Sequence, residues 1–502
     1  MQVLAGAGRR APVASSAFVA GALCVLAWTV VEGRAVLPAA GVTLVLATLV
    51  AGHRTLFRWR NLVVALLLVI LFVPIRRYKL AAGLPFDLEP YRLMVMFLIA
   101  GWLTSLLIDP RAWLRHSVYD RPVALIVAAT FASELANPAR VGSLGSYVVK
   151  SLTFFASFLL VFYVVVGVVR SGRDVDRIVR VLVGGGAVIA FFALIERRTG
   201  YNVFNDLGRV VPLLHYQGGW EGVGVERGGR LRVYGPAEHP IALGAALVML
   251  LPLALYLIRS SGQRRWWVAI ALLTTASLAT ASRTVISMLV AVVLVFLWLR
   301  PRETRRCWPA LIPLLLVVHI AVPGAIGTMT AAFFPQGGLI KDQSTVVRGN
   351  ALRADGRLAK VGPALRSWEE EPLFGLGFGT RVVGFQVAFN NAFILDDQWL
   401  GTLLDVGAVG TFAYLWLFVR AIRRCGRAAK ADDSPRGWLL AALAAAIAAF
   451  AVGMLTFDAF SFIQVTFFFW IMLSASAALL APSPRGRAAA GAVPAAARAG
   501  AA

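Results

Sequence analysis

The chain has 502 residues, of which 59% are hydrophobic and 15% are charged, whereas soluble domains average roughly 25% charged residues. This composition excludes an ordinary soluble α-helical protein, because the apolar runs are hydrophobic on every face and lack the polar stripe of a surface helix. Apolar runs of about 15–22 residues recur along most of the chain. The sequence therefore predicts an all-α polytopic membrane protein.

Fourteen apolar segments are candidates for membrane spans, and the two shortest of them, 61–75 and 122–136, are the weakest. We therefore predict 12–14 transmembrane helices. In chain order the candidate spans are about 16–31, 35–51, 61–75, 91–108, 122–136, 151–169, 180–195, 239–258, 266–281, 284–299, 309–326, 401–419, 437–455 and 460–480.

The formal net charge of +24 is distributed unequally between the two sides of the predicted membrane. With the N-terminus in the cytoplasm, the cytoplasmic side has a net charge of +21 and the outer side +3. This is the positive-inside bias of membrane proteins, so the basic residues do not require a nucleic-acid partner. The pattern predicts a multi-pass protein of the cytoplasmic membrane with both termini in the cytoplasm.

Loop lengths divide the predicted membrane protein into seven regions. They are a disordered N-terminus (1–15), N-terminal membrane helices (16–195), an extracytoplasmic loop (196–238), a second group of membrane helices (239–326), a large extracytoplasmic loop (327–400), C-terminal membrane helices (401–480) and a disordered cytoplasmic tail (481–502).

Arginines mark two of the predicted outer segments. Arg230 and Arg232 precede His239-Pro240, where the proline suits the first turn of a helix. Arg283 lies in the short turn Ala281-Ser282-Arg283 between two apolar helices. An arginine at this position either faces a cavity or a partner, or extends to the lipid headgroups, and the residues alone do not separate these alternatives.

The large loop contains seven basic residues, Arg348 and Arg357 among them, and ends in Asp396-Asp397-Gln398. Apolar residues at 358, 361, 365 and 368 have helical spacing and predict a short amphipathic helix from Arg357 to Trp368. This helix is expected to lie along the membrane surface or to cap the bundle.

Two further features have competing interpretations. The run Gly375-x-Gly377-x-Gly379 is a weak nucleotide-binding signal without a βαβ context, and a tight turn or close backbone approach is the better interpretation. The segment 76–79, which is Arg-Arg-Tyr-Lys, is either a basic patch for an anionic ligand or a set of interfacial anchors with local ion pairs. The second alternative is the more common one.

The candidate chemistry lies in the outer arginines and the two aspartates. Arginines bind phosphate with paired hydrogen bonds that are strong near a low-dielectric boundary. A nearby carboxylate can take a proton from an attacking hydroxyl. This combination suits transfer from a lipid-linked phosphate or pyrophosphate donor. Metal-site and P-loop motifs are missing from the sequence, so no metal or cofactor is predicted.

Three stretches of the chain resemble the O-antigen ligase and polymerase superfamily of bacterial surface-polysaccharide enzymes. The first is Arg232-x-x-Gly235 followed by His239-Pro240-x-x-x-Gly244, and the second is the turn Thr280-Ala281-Ser282-Arg283. The third begins in the large loop with Gly356-Arg357, Trp368, Pro372 and the run Gly375-x-Gly377-x-Gly379. It continues with Asp397-Gln398-Trp399-Leu400 and Asp405-x-Gly407-x-x-Gly410. The resemblance covers about residues 230–420.

The resemblance implies a metal-independent, inverting glycosyltransferase that acts at the outer leaflet on a glycan linked to undecaprenyl pyrophosphate. The other implied partners are a glycan or lipid-linked acceptor and membrane lipids. Arg232 and Arg283 match the family's essential arginines and are expected to contact the donor pyrophosphate. The expected supporting substrate contacts are Arg230, Arg348, Arg357, His239 and Gln398.

Ligase-type members of this family carry a histidine near the end of the large loop, whereas this chain has none from 327 to 400. Asp396 and Asp397 stand there instead, which resembles the polymerase-type members and makes Asp397, or Asp396, the candidate general base. Asp405 is expected to hold an arginine in place or to pack as a hydrogen-bonded helix residue. A transporter or flippase of lipid-linked sugars is the alternative function, and a structural scaffold is the third.

Overall fold

The computed structural model describes residues 58–80, 88–110, 114–211, 213–218, 226–227, 230–324, 357–381 and 395–481, with isolated positions between 327 and 339. The predicted spans 16–31 and 35–51, the region 1–15 and the tail from 482 lie outside the described residues.

Helices dominate the part of the chain that the structure describes. They are α1 (Trp59–Phe72), α2 (Pro90–Ile108), α3 (Asp120–Ala136), α4 (Pro138–Ser143), α5 (Gly145–Val168), α6 (Gly172–Thr199), α7 (Leu207–Val210), α8 (Pro240–Ser261), α9 (Arg265–Ala279), α10 (Arg283–Leu299), α11 (Pro301–Arg306), α12 (Leu311–Ala321), α13 (Arg357–Glu370), α14 (Gln398–Lys430), α15 (Pro435–Gly453) and α16 (Ile463–Leu480).

Strands are limited to two short antiparallel pairs among the described residues. β1 (Tyr78–Leu80) pairs with β2 (Leu214–Tyr216), and Tyr78 lies opposite Tyr216. β3 (Glu226–Arg227) pairs with β4 (Arg230–Leu231). Both pairs lie in connecting segments, so they add local order to loops and leave the helical architecture unchanged.

Every predicted span from 61–75 onward coincides with a helix. Seven of the described helices are long and apolar enough to cross a membrane, namely α2, α5, α6, α8, α14, α15 and α16. Helices α1, α9, α10 and α12 are apolar but shorter. The prediction of an all-α polytopic membrane protein is confirmed, whereas the exact number of spans stays a prediction.

The core of the bundle forms around α15 and α16. In α15 the buried run from Ala441 to Ala449 is rich in alanine, and this helix packs against α8, α10 and α14. Small residues allow helix backbones to approach closely, which is the usual basis of helix association inside a membrane. In α16 the buried aromatic run Phe467 to Trp470 packs against α5, with Phe469 stacked on Phe450 of α15 at 4.7 Å.

Helix α14 is broken at Gly407, whose φ and ψ are 65° and −166°. The loop from Pro372 to Thr380 inserts at this break. The amide of Leu376 donates to the Leu404 carbonyl at 2.7 Å, and the amide of Ala408 donates to the Pro372 carbonyl at 2.9 Å. The loop therefore satisfies backbone groups that the break would otherwise leave without partners, as membrane-embedded backbone requires.

The glycine run is explained by this insertion. Gly375, Gly377 and Gly379 all have positive φ, at 72°, 106° and 74°. A Cβ on Gly375 would lie 2.5 Å from the Leu404 carbonyl oxygen. The interpretation as a close backbone approach is therefore confirmed.

The amphipathic helix expected at 357–368 is present as α13, although a different face packs on the protein. Ala364 and Ser367 are buried, whereas Leu358 and Leu365 are 51% and 37% exposed. Ala364 joins a small cluster with Leu376, Leu395 and Leu404, against which Trp368 packs. The spacing predicted the helix correctly but not its packing face, because that face depends on where α14 lies.

Candidate active site

Several helix ends meet at one end of the bundle, which we call the site end. Helices α8, α10, α14 and α16 begin there and α15 ends there, because three hydrogen bonds join residues at these helix ends that are distant in sequence. The Gln398 amide donates to the Met454 carbonyl at 2.7 Å, and the Thr456 hydroxyl bonds to that of Thr284 at 2.8 Å. The Ile463 amide donates to Glu238 at 2.8 Å.

Arg232 is buried at the site end and contacts the turn that carries Arg283. Its Nε donates to the Thr280 carbonyl at 3.0 Å, three residues before Arg283. Gly244 makes this approach possible, since a Cβ there would lie 2.5 Å from Val285 and 2.8 Å from the Thr280 hydroxyl. The structure thus brings together two arginines that lie 51 residues apart in sequence.

A framework of polar groups holds the segment that follows Arg232. Glu196 accepts from the amides of Tyr234 and Gly235 at 3.2 and 2.9 Å. The Gly235 carbonyl accepts from Arg77 at 2.7 Å and from Asn202 at 2.9 Å. The first basic residues of the segment 76–79 therefore serve the fold here, since Arg77 is buried and the neighbouring Arg76 pairs with Glu238 at 3.2 Å.

His239 is the N-cap of α8 and lies between this segment and Phe462. Its Nδ1 accepts from the Ile241 amide at 3.1 Å, so the proton of the neutral ring is on Nε2. Burial, reinforced by the charge of Arg232, lowers the pKa of His239 to about 3. The imidazole is consequently neutral at physiological pH and offers a substrate no positive charge.

Arg283 is the first residue of α10, and Arg357 is the first residue of α13. Burial lowers the pKa of the Arg357 guanidinium, and the positive charge of Arg283 acts in the same direction. Asp396 and Asp397 oppose this shift. Arg357 therefore lies within electrostatic range of the second predicted arginine and of both predicted carboxylates.

Asp396 and Asp397 precede α14. Asp396 has a φ of 54°, in the left-handed region, and its carboxylate lies 4.0 Å from Arg357 Nε with 38% of the side chain exposed. Asp397 is the N-cap of α14 and accepts from the Leu400 amide at 3.1 Å. Burial raises the pKa of both carboxyls, and Arg357 opposes the shift.

A third carboxylate and a further arginine join the site, and sequence reasoning missed this grouping. Asp458 is 7% exposed in the turn between α15 and α16, and its Oδ2 accepts from the Asp396 amide at 3.4 Å. Arg381 lies 3.8 Å from Asp458 and donates from Nε to Asp405 at 3.3 Å. The expectation that Asp405 holds an arginine is confirmed.

Burial acts against the charge of Arg381, but Asp405 and Asp458 together raise its pKa. The guanidinium therefore stays charged between two carboxylates. The only sequence signal for Asp458 was an isolated charge in a four-residue outer turn, which resembles many solvated turns. Its contact with Asp396 appears only when the two turns are brought together.

Three other residues were predicted to contact the substrate. Gln398 is buried, and its side chain accepts from the Phe460 amide at 2.9 Å and lies 3.4 Å from the Thr402 hydroxyl, so it contributes to the framework. Arg230 belongs to β4, and only its backbone pairing with Arg227 is described. Arg348 lies outside the described residues. Within the described ranges, no group of three or more His, Cys, Asp or Glu side chains is arranged to hold a metal ion.

The fold and the site together define a polytopic membrane protein with arginines and carboxylates gathered at one end of its helix bundle. Residues 267–415 match the family model for O-antigen ligase. The match covers less than half of the chain and supports its membership of the O-antigen ligase and polymerase superfamily. No curated protein has significant sequence similarity to the chain. The match includes Arg283, Arg357, Asp396 and Asp397, whereas Arg232 and Asp458 lie outside it.

Proposed function

We propose that the protein is a membrane glycosyltransferase that polymerises or ligates glycan carried on undecaprenyl pyrophosphate, at the outer face of the bacterial cytoplasmic membrane. The observation that carries this proposal is the gathering of Arg232, Arg283 and Arg357 with Asp396 and Asp397 at the site end. The family membership supports the reaction class, and the positive-inside charge distribution supports the side of the membrane.

In the proposed reaction the arginines bind the donor pyrophosphate and stabilise the charge that develops as it leaves. The acceptor hydroxyl attacks the anomeric carbon from the opposite face, so the glycosidic bond forms as the bond to the pyrophosphate oxygen breaks. This displacement inverts the anomeric configuration. Asp397 takes the hydroxyl proton, and an effect of this kind is worth about 10²- to 10⁴-fold in rate.

The assignment of Asp397 as the base, with Asp396 as the alternative, rests on position and electrostatics. Both carboxyls lie near Arg357, and both have a pKa raised by burial, which makes a carboxylate a better proton acceptor. Their position, where ligase-type members carry histidine, supports a polymerase-type reaction. Arg381, Asp405 and Asp458 act as positioning residues, since Asp458 accepts from the Asp396 amide. No metal takes part in this proposal.

The direct test is an assay of the purified protein in proteoliposomes with oligosaccharide linked to undecaprenyl pyrophosphate. Growth of the glycan, or its transfer to an acceptor, is expected, together with release of the lipid pyrophosphate. A protein that binds the donor but forms no new glycosidic bond, with any acceptor glycan tested, would contradict the proposal.

A transporter or flippase is the second candidate, and the broken helix α14 is the observation that favours it. Transporters place discontinuous helices and charged groups at their substrate sites, and α14 is interrupted at Gly407 beside the partly buried pair Arg381 and Asp405. The same proteoliposomes distinguish the two functions. Movement of a lipid-linked sugar or an anion across the bilayer without bond formation would establish the transporter.

A further inference from the structure

A cavity of about 890 Å³ opens at the end of the bundle opposite the site end. Its walls come from the last turns of α5 and α16, the first turns of α6 and α15, and the segment before α3. Helix α16 begins beside Glu238 at the site end and reaches the cavity with Leu479. Its 18 residues correspond to roughly 27 Å of helix, so the cavity is separate from the candidate active site.

The charge of the cavity lining is strongly positive. Four arginines and one aspartate line it, a net formal charge of +3, and they are Arg115, Arg170, Arg173, Arg436 and Asp176. Asp176 accepts from Arg180 at 2.6 Å and from the Tyr256 hydroxyl at 3.1 Å. The hydrogen-bond partners of this carboxylate are therefore groups other than the four lining arginines. The lining therefore favours an anionic ligand.

Two of the arginines are held in place by the protein. Arg115 donates to the Val169 carbonyl at 3.3 Å, at the end of α5. Arg436 donates to the Leu479 carbonyl at 2.8 Å, at the end of α16. Arg170 and Arg173 are exposed, and no ion pair links either of them to a carboxylate within the described ranges. The lining thus combines guanidinium groups that the protein holds in place with others that are exposed.

The backbone amides at the start of α6 are not the binding groups. A capping box satisfies the first turn, because the Ser171 hydroxyl accepts from the Asp174 amide and the Asp174 carboxylate accepts from the Ser171 amide. An anion in the cavity must therefore be bound by the arginine side chains. Guanidinium groups suit phosphate because they offer paired donors in a fixed plane.

Part of the lining is apolar. Leu439 and Leu479 are buried there, and Ala478 and the half-exposed Leu114 complete this side of the wall. A cavity lined by both cationic and aliphatic groups matches an amphiphile better than a fully hydrated anion. Basic pockets between membrane helices are known to bind the headgroups of anionic lipids.

We propose that this cavity binds the phosphate headgroup of an anionic phospholipid, with the arginines around the phosphate and the acyl chains along Leu439 and Leu479. The charge distribution of the sequence assigns this end to the cytoplasmic leaflet, where anionic lipids attract basic segments. The cavity lies apart from the residues proposed for glycosyl transfer. A result that disproves lipid binding therefore leaves the proposed glycosyltransferase function untouched, and the reverse also holds.

The test is a titration of the full-length protein in detergent with phosphatidylglycerol or phosphatidylcholine, followed by native mass spectrometry of the retained lipid. The double variant Arg170→Gln/Arg173→Gln is expected to bind phosphatidylglycerol about tenfold or more weakly than the parent, because each basic residue near a headgroup contributes appreciably to binding. The control Arg302→Gln/Arg305→Gln removes the same charge from exposed positions on α11, which also lies at this end, and is expected to bind normally.

Equal loss of binding in the control, or unchanged binding in the double variant, would overturn the proposal. Equal affinity for phosphatidylcholine would exclude an anionic headgroup. Competition by inorganic phosphate at concentrations near those of the lipid would instead identify a soluble anion as the ligand and overturn the lipid assignment. Thermal unfolding of each variant without lipid verifies that folding is unchanged.

Discussion

Arg232 and Arg283 both lie at the site end, although they belong to different elements. Arg232 is positioned by its bond to the Thr280 carbonyl, whereas Arg283 is positioned as the first residue of α10. The sequence left open whether Arg283 faces a site or extends to the headgroups. Its electrostatic effect on Arg357, which lies beside Asp396, favours the site.

Replacing either arginine by lysine should therefore reduce glycan transfer while the protein still folds. In Arg232→Lys and Arg283→Lys we expect a decrease of about 10²- to 10³-fold in kcat, because lysine keeps the charge but loses the paired donors that bind phosphate. Turnover of lipid-linked oligosaccharide in proteoliposomes measures the effect.

The control for these variants is Arg209→Lys, since the Arg209 side chain is 81% exposed and lies in the same predicted outer segment as Arg232. Its activity should equal that of the parent. Near-normal turnover in both Arg232→Lys and Arg283→Lys would assign the two arginines to the fold alone.

The two aspartates can be separated by asparagine substitutions that leave their backbone roles intact. Asparagine is as good an N-cap as aspartate, so Asp397→Asn preserves the start of α14. Asparagine also tolerates the left-handed φ of residue 396. We expect Asp397→Asn to lose about 10²- to 10⁴-fold in kcat and Asp396→Asn to lose less. The reverse order would make Asp396 the base, and two fully active variants would show that neither is.

The pH dependence of turnover provides an independent test of the base. A general base acts when deprotonated, so activity should fall as the pH falls through its pKa. Because burial raises the pKa of Asp397, and the negative charge of Asp458 adds to the shift, the acidic limb of kcat/KM should lie above about 3.9, the ordinary aspartate value. In Asp458→Asn the limb should move to lower pH. A limb that stays in place would remove Asp458 from the electrostatics of the base.

At the scale of elements, the broken helix α14 and its inserted loop are the feature on which the site depends. The break lies between the helix start, which carries Asp397 as N-cap, and the long remainder of α14. The inserted loop leads directly to Arg381, whose guanidinium pairs with Asp405 two residues before Gly407. The loop therefore positions this partly buried ion pair and also satisfies the backbone groups at the break.

Alanine at Gly407 should disrupt this arrangement. A Cβ there would lie 2.3 Å from the Leu373 carbonyl oxygen, and the φ of 65° is unfavourable for alanine. We expect Gly407→Ala to destabilise the fold by about 2–4 kcal/mol, from backbone strain and overpacking together. Thermal unfolding of the purified protein measures the change.

Gly184→Ala is the matched control, since Gly184 lies inside α6 and nothing approaches its Cβ position within 4 Å. This variant should be neutral or slightly more stable, because alanine is the better helix former. Equal unfolding temperatures for the two variants would contradict the tight insertion of the loop at Gly407.

At the scale of the whole molecule, the two ends of the bundle differ in chemistry. The site end holds arginines with nearby carboxylates, whereas the opposite end holds arginines around an amphipathic cavity. The charge count over the sequence assigns the site end to the outside of the cell. This orientation is a prediction that labelling of cysteines can test.

Cys307 is exposed at the end opposite the site, and Tyr201 is 51% exposed beyond α6 in the predicted outer segment. In intact spheroplasts a membrane-impermeant maleimide should label Tyr201→Cys, introduced in a Cys307→Ser background, but should not label native Cys307. Cys307 should react only after the membranes are opened. Labelling of Cys307 from outside would invert the orientation and place the candidate active site in the cytoplasm.

The helices were predictable because a long apolar run in a membrane must satisfy its backbone internally, and hydropathy reports that requirement directly. The amphipathic helix α13 was recognised from local spacing. Its packing face was not, because Ala364 is buried against residues of α14 and its preceding loop that are distant in sequence. The break at Gly407 was not predicted, since one glycine in an apolar run has several structural explanations.

The amino-acid sequence was sufficient to predict the class of the protein, the position of its helices and the residue types of the candidate site. These follow from composition, hydropathy and short motifs, all of which are local properties. Three contacts became apparent from the folded structure: Arg232 contacts the turn before Arg283, Arg381 lies between Asp405 and Asp458, and Asp458 contacts Asp396. The physical reason is that side chains on different helices meet only when the packing of the bundle sets where each helix ends.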